Sequence, residues 1–179
     1  TNLVTATPLN PEGRLSAFRG ENPNGTWTMT VGDHTATNTG SVSSWSLDVS
    51  TLGAAPVDTT TTVTNSTPLP IANVATQSST ITIGGAGTYL DKVTVQTFIT
   101  HTYAADLDIT LKSPFGTVIQ LTTDNGAGND NVFNGTLWTG STTDPVTDHV
   151  YTNLVTATPL APEGAFDNFM GQDPNGVWT

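Results

Sequence analysis

Three histidines, His34, His101 and His149, stand in a chain rich in serine and aspartate, the ingredients of a base-activated nucleophile. No Gly-x-Ser-x-Gly elbow presents a serine at a sharp turn, so a hydrolytic triad is not expected. Gly84-Gly85-Ala86-Gly87 has the composition of a phosphate loop, but it lies between two alternating strands rather than between a strand and a helix. It reads as a hairpin turn. The stretch Asp124-Asn125-Gly126-Ala127-Gly128-Asn129-Asp130-Asn131 is a different matter, because hard cations take several carboxylate and carbonyl oxygens from loops of this kind. Asp124, Asp130 and Asn131 are thus candidate calcium ligands. Gly126-x-Gly128-x-Asp130 resembles half of a calcium-binding nonapeptide, although that motif works in stacked copies and here stands once. The competing reading is a tight loop whose Asn and Asp side chains cap their own backbone. Of the four tryptophans, Trp27, Trp45 and Trp178 keep phase with aliphatic residues and read as core. Trp138, in a loop, is the one platform on which a carbohydrate partner would stack.

Composition narrows the field. The 179 residues carry 4 Lys and Arg against 15 Asp and Glu, a formal net charge of -11. Nucleic acid and anionic membrane are therefore excluded as partners, since both are held by Lys/Arg clusters. No apolar run reaches the length of a membrane span, and no signal peptide opens the sequence. With no cysteine, disulfides and thiolate metal sites are unavailable. Abundant Thr, Asn and Gly with little Lys point to an extracellular or cell-surface protein, and the missing cysteines to a bacterial one.

The elements that must position these residues are strands. Ile81 and Ile83 alternate with threonines, as do Val93 and Val95 around Thr94. Leu107, Ile109 and Leu111 share one face opposite Asp106, Asp108 and Thr110. Ser113-Pro114-Phe115-Gly116 then makes a turn, with Pro second and Gly fourth, and Thr117 to Leu121 returns as the partner strand. Met29 and Val31 follow Trp27 in alternation, and Trp45, Leu47 and Val49 do the same. This is the pattern of antiparallel sheets with one wet face. The one helical signal, from Pro162 to Met170 with its twin from Pro11, is at most two turns long. The expected core includes Trp27, Trp45, Ile81, Val93, Leu107, Ile109 and Trp178.

The two ends of the chain repeat one another. TNLVTATPL opens it at Thr1 and returns at Thr152, an offset of 151 residues, and Pro11/Pro162, Phe18/Phe169, Gly25/Gly176 and Trp27/Trp178 keep the same offset. Near-identity at fixed spacing is the mark of an internal repeat. The expected organisation is the C-terminal part of one unit over residues 1–52, a Thr/Pro-rich linker over 53–66, and the N-terminal and central part of the next unit over 67–179.

ITHTYAADLDITLKSPFGTVIQL, NGAGNDNVFNGTLW and NPNGTWTMTVGDHTATNTGSVSSWSLDV resemble the P domain (Homo B domain) attached to kexin-like and other subtilisin-type proteases. The resemblance implies a jelly-roll antiparallel β-sandwich of about eight strands and a non-catalytic role, with catalysis in a separate domain. It makes His101 a structural residue and places Asp106 beside the Asp124–Asn131 loop, so the expected calcium ligands are Asp106, Asp124, Asp130 and Asn131. Three departures remove charge from any inherited ion site. Leu69-Pro70-Ile71-Ala72-Asn73 offers no carboxylate, Asn38-Thr39-Gly40 stands where Asp-x-Gly is usual, and Ala104-Ala105 stands where Arg-Gly is usual.

Two functions follow as expectations. In the first, the chain is a structural repeat of a surface fibre or adhesin stalk. The second unit, ending at Thr179, would lack the strands that residues 29–51 supply, and a neighbouring copy would donate them head to tail. In the second, it is an accessory domain of a secreted subtilisin-like protease, with a jelly-roll carbohydrate-binding module as a further alternative. Neither makes the chain an enzyme.

Overall fold

The computed structural model describes Leu9 and residues 11–37, 39–53 and 57–179. The duplicated residues 1–8, Asn10, the family departure at Asn38 and linker residues 54–56 lie outside the described residues. Gly20–Val57 forms one unit, and the described residues up to Arg19 form another with Asp58–Thr179.

The fold is all-β. Six strands occur among the described residues, against about eight expected: β1 (Ile81–Ile83), β2 (Thr94–Phe98), β3 (Ile109–Lys112), β4 (Val118–Thr122), β5 (Asn134–Thr139) and β6 (Gly176–Trp178). They form three two-stranded antiparallel sheets, β1 with β6, β2 with β5, and β3 with β4. The β3–β4 hairpin is the expected one, closed by Gly116 N–H donating to Ser113 O at 2.9 Å. Leu107, Ile109 and Leu111 point inward while Asp106, Asp108 and Thr110 are exposed.

β1 and β2 do not pair, so the glycine-rich turn between them is not a hairpin as expected. Each strand finds a partner distant in sequence instead. The loop is fixed by Asn175, which accepts from Ala86 N–H and donates to Ala86 O, both at 3.0 Å.

Among the described residues no ladder joins the three sheets. One late segment does. Leu160 donates to Leu137 O of β5 at 2.9 Å, and Gly164 to Gln120 O of β4 at 2.7 Å. Gly171 donates to Leu90 O at 2.8 Å, and Thr179 and Lys112 exchange two backbone hydrogen bonds that tie β6 to β3. A two-stranded ribbon alone is marginal in water. Here Ala157, Leu160, Phe166, Phe169 and Trp178 of that segment bury themselves against Leu121, Val132, Phe133, Trp138 and Val146. Trp178 stacks edge-on against Phe169, with ring centroids 5.2 Å apart.

This joining segment is the second copy of the duplication, and the first copy folds locally in the same way. Short 3-10 turns occupy Leu15–Phe18 and Phe166–Phe169. Gly20 and Gly171 take φ of 81° and 75°. Trp27 and Trp178 each donate their indole N–H to a proline carbonyl four residues earlier, at 3.0 and 2.9 Å. The environments differ. Phe166 and Phe169 are 6% and 0% exposed, whereas their counterparts Leu15 and Phe18 are 67% and 48% exposed.

Gly20–Val57 departs furthest from expectation. None of its described residues is in a strand. Met29, Val31, Trp45, Leu47 and Val49 keep their alternation but are 45% to 67% exposed, so Trp45 is not core and Trp27 is only half-buried. An alternating apolar stretch becomes a strand only when a partner ladder takes its N–H groups, and these residues have none.

The paired glycines give a test of which copy is seated. A Cβ on Gly164 would lie 2.8 Å from Ile119 Cβ and 2.9 Å from Gln120 N, while one on Gly13 would meet nothing within 4 Å. Gly164→Ala should destabilise by roughly 1–3 kcal/mol, the cost of overpacking a tight site. Gly13→Ala should stay within about 0.5 kcal/mol of the parent. Urea unfolding followed by circular dichroism measures both, and the reverse order would mean that the first copy holds the seat.

Candidate functional site

The loops expected to hold calcium do come together. Ala104–Asp106 is a 3-10 turn bound along the Asp124–Asn131 loop, with Ala104 N–H donating to Asn129 O and Ala105 N–H to Ala127 O, both at 3.1 Å. Gly126, at φ 91°, permits the approach: a Cβ there would lie 2.6 Å from Ala104 Cβ. The two small residues at 104 and 105, a departure from the family pattern in the sequence, thus fit a loop pressed against them. Asp124, Ala127 and Asn131 also take positive φ, 55°, 49° and 57°, a conformation that Asn and Asp tolerate better than most residues.

The loop's acceptors are largely engaged by backbone donors. Asn131 Oδ1 accepts from His101 N–H at 3.0 Å, while Asn131 N–H donates to His101 O at 2.9 Å. Gly126 O takes Asn129 N–H and its side-chain amide, and Asp130 O takes Leu154 N–H. Asn153 Oδ1 receives Asp130 N–H at 2.6 Å. The reading in which Asn side chains satisfy loop backbone is the one this geometry displays. Among the described residues no group of three or more His, Asp or Glu side chains gathers closely enough to hold a metal. An ion here would draw on the carboxylates of Asp106, Asp124 and Asp130 and on carbonyls that already accept hydrogen bonds.

Two of the three histidines have structural partners, and the third, His34, is exposed in the unit Gly20–Val57. His101 Nδ1 lies 2.7 Å from Tyr103 O. His149 Nδ1 lies 2.7 Å from Asp144 Oδ2, and its ring meets Tyr151 edge-on at 4.8 Å. Tyr151 in turn donates its hydroxyl to Val146 O at 2.7 Å. Burial, with Asp144 and Glu163 nearby, pushes the Tyr151 phenol above its ordinary range because the anion would be poorly solvated. The Asp144–His149 pair has the form of a base with its orienting carboxylate, but no described hydroxyl is hydrogen-bonded to that imidazole.

Trp138 overturns its expected role. It lies on β5, is 0% exposed, and donates its indole N–H to Thr97 Oγ1 at 3.0 Å. No sugar can stack on a ring enclosed by Phe133 and Leu160. The alternation of β5, with Thr136 and Trp138 inward and Leu137 outward, was the signal that would have found it.

Glu163, inside the short helical signal from Pro162 to Met170, is an anchor that the sequence pattern does not single out. Its carboxylate accepts from Thr123 N–H at 2.7 Å, Asn125 Nδ2 at 2.6 Å and Thr123 Oγ1 at 3.2 Å. It holds the end of β4 to the joining segment, whereas its counterpart Glu12 is exposed.

Asn131→Ala should lower stability by about 1–3 kcal/mol, the cost of leaving the His101 N–H unpaired. The loss should be the same in calcium and in chelator. Urea melts under both conditions decide it, since a loss confined to calcium would make Asn131 a ligand rather than a loop anchor.

No helix among the described residues is long and apolar enough to cross a membrane. Neither a curated protein nor a solved structure matches the chain. The family model of the proprotein convertase P-domain does, over residues 6–49 and 90–179. With the three sequence motifs falling inside those stretches and an all-β body built from residues 81–178, the chain belongs to the proprotein convertase P-domain family.

Proposed function

We propose that this chain is a non-catalytic accessory module of a secreted, bacterial subtilisin-like protease, extracellular in location and stabilising the catalytic domain beside it. The observation that carries the reading is the family match over most of the chain. The structural commitments of His101 and His149 support it. The polypeptide that contains this module should carry a subtilisin-like domain, and deleting the module should shorten that protease's half-life at elevated temperature. A natural polypeptide with further copies at the same spacing and no protease domain would refute it.

A second reading, a repeat module of a surface fibre or adhesin stalk, is favoured by one specific observation. The first copy continues into Met29, Val31, Trp45, Leu47 and Val49, which keep strand alternation yet stand exposed. On this reading residues 29–51 complete the sandwich of a neighbouring copy, and head-to-tail contacts of that kind grow filaments. Light scattering should then show mass rising with concentration, and Trp45→Ser with Leu47→Ser should abolish the rise. A parent chain that stays monomeric at high concentration sinks the idea.

Calcium at the Asp106 and Asp124–Asn131 loops is a separate proposal, supported by the meeting of those two loops. A chelator that lowers the melting temperature, with the response lost in Asp130→Ala, supports it, and an unchanged melt removes it.

A further inference from the structure

The first copy is held to the second through its arginines. Arg14 donates Nη2 to the carbonyls of Pro162 and Glu163, within the seated copy. Its guanidinium is partly buried, and that burial pulls its pKa down while Asp167 pulls the other way. Arg19 donates to Asp91 O at 2.6 Å and contacts the Met170 sulfur. It lies 3.9 Å from the Asp91 carboxylate and 3.7 Å from that of Asp167. Ser16 Oγ donates to Gly140 O at 3.3 Å. Two clefts flank Arg14, one reaching Ala165 and Asp167, the other Pro145 and Thr147.

The duplication shows why this contact has a direction. At the offset of 151, Arg14, Ser16 and Arg19 correspond to Ala165, Asp167 and Met170. In each pair the first copy carries the donor or cation and the second an apolar side chain or a carboxylate. The neighbouring positions Pro11/Pro162, Glu12/Glu163, Gly13/Gly164 and Phe18/Phe169 are unchanged. Within Pro11–Arg19, Leu15/Phe166 and Ala17/Asn168 differ as well, so the three residues that make the polar contacts are three of five changed positions. Half of the chain's 4 Lys and Arg stand in this short segment of a molecule with net charge -11, facing a carboxylate-bearing surface.

We infer that Pro11–Arg19 is a latch by which one copy of the repeat docks on the copy that follows it, on the face built by Asp91, Gly140, Pro162, Glu163, Asp167 and Met170. The partner is a preceding copy of the same sequence, recognised by one guanidinium nitrogen of Arg14 shared between paired carbonyls and by charge complementarity. The replacement of both arginines makes the second copy a receptor without a latch. The inference rests on reading the two segments as copies of one unit. Its test below does not depend on filament growth, so the two can fail separately.

Trypsin reads the latch directly in the full chain, because its sites are Arg14, Arg19, Lys92 and Lys112. Cleavage at the two lysines reports opening of the body and serves as the internal control. Arg14→Lys keeps the charge and the cleavage site but replaces the long planar guanidinium, whose Nη2 spans both carbonyls, by a shorter and more strongly hydrated ammonium. Asp91→Asn with Asp167→Asn keeps shape and removes the facing carboxylates. Each variant should speed cleavage at positions 14 and 19 by about three- to fivefold, with Lys92 and Lys112 unchanged. Unchanged rates at 14 and 19 in both variants would overturn the latch. So would a rise at all four sites together, which would mean that these residues hold the body rather than the segment.

Discussion

Three separate two-stranded sheets become one body because a single stretch of backbone, from Ala157 to Thr179, bonds to each of them in turn. It lies along β5 at Leu160, crosses β4 at Gly164, pairs with β1 as β6 and closes on β3 at Lys112. Its apolar side chains fill the space between the sheets, so hydrogen bonding and burial are delivered by the same residues. Only the β3–β4 hairpin is a local contact, and the joining segment must find partners far back in the sequence. The loop entropy of doing so is compensated by the enclosed cluster of Phe133, Trp138, Leu160, Phe169 and Trp178.

That the chain carries this stretch twice separates local from tertiary causes. Both copies make the same 3-10 turn, the same left-handed glycine and the same indole-to-carbonyl bond, so these follow from local sequence. Burial does not follow. Phe169 is enclosed and Phe18 half-exposed although both stand on the same local 3-10 turn, because the second copy has sheets around it. Sequence sets the shape of the segment, and the partners it meets set what it contributes.

The same distinction explains what could be read in advance. The β3–β4 hairpin, the inward face of Leu107 and Ile109 and the short turn near Phe166 depend on alternation and turn chemistry within a few residues, and all were legible. The pairing of β1 with β6 and β2 with β5 spans tens of residues, and a glycine-rich turn between β1 and β2 imitates a hairpin. Residues 29–49 have a strand's alternation, which describes what they could pair with rather than what they do. At the candidate site, the meeting of the Asp106 turn with the Asp124–Asn131 loop was implied by family resemblance. The roles of Asn131 and Glu163 were not, because a side chain capping distant backbone leaves no periodic trace.

The four tryptophans fall into two optical classes as a result of this arrangement. Trp138 and Trp178 lie inside the enclosed cluster, whereas Trp45 is half in water and Trp27 only half-covered. An indole emits further to the blue in an apolar enclosure than in a mobile polar one. The body and the unit Gly20–Val57 therefore carry separate intrinsic chromophores, and an aqueous quencher will reach one pair before the other. The molecule reports on its two parts in different colours, without a label.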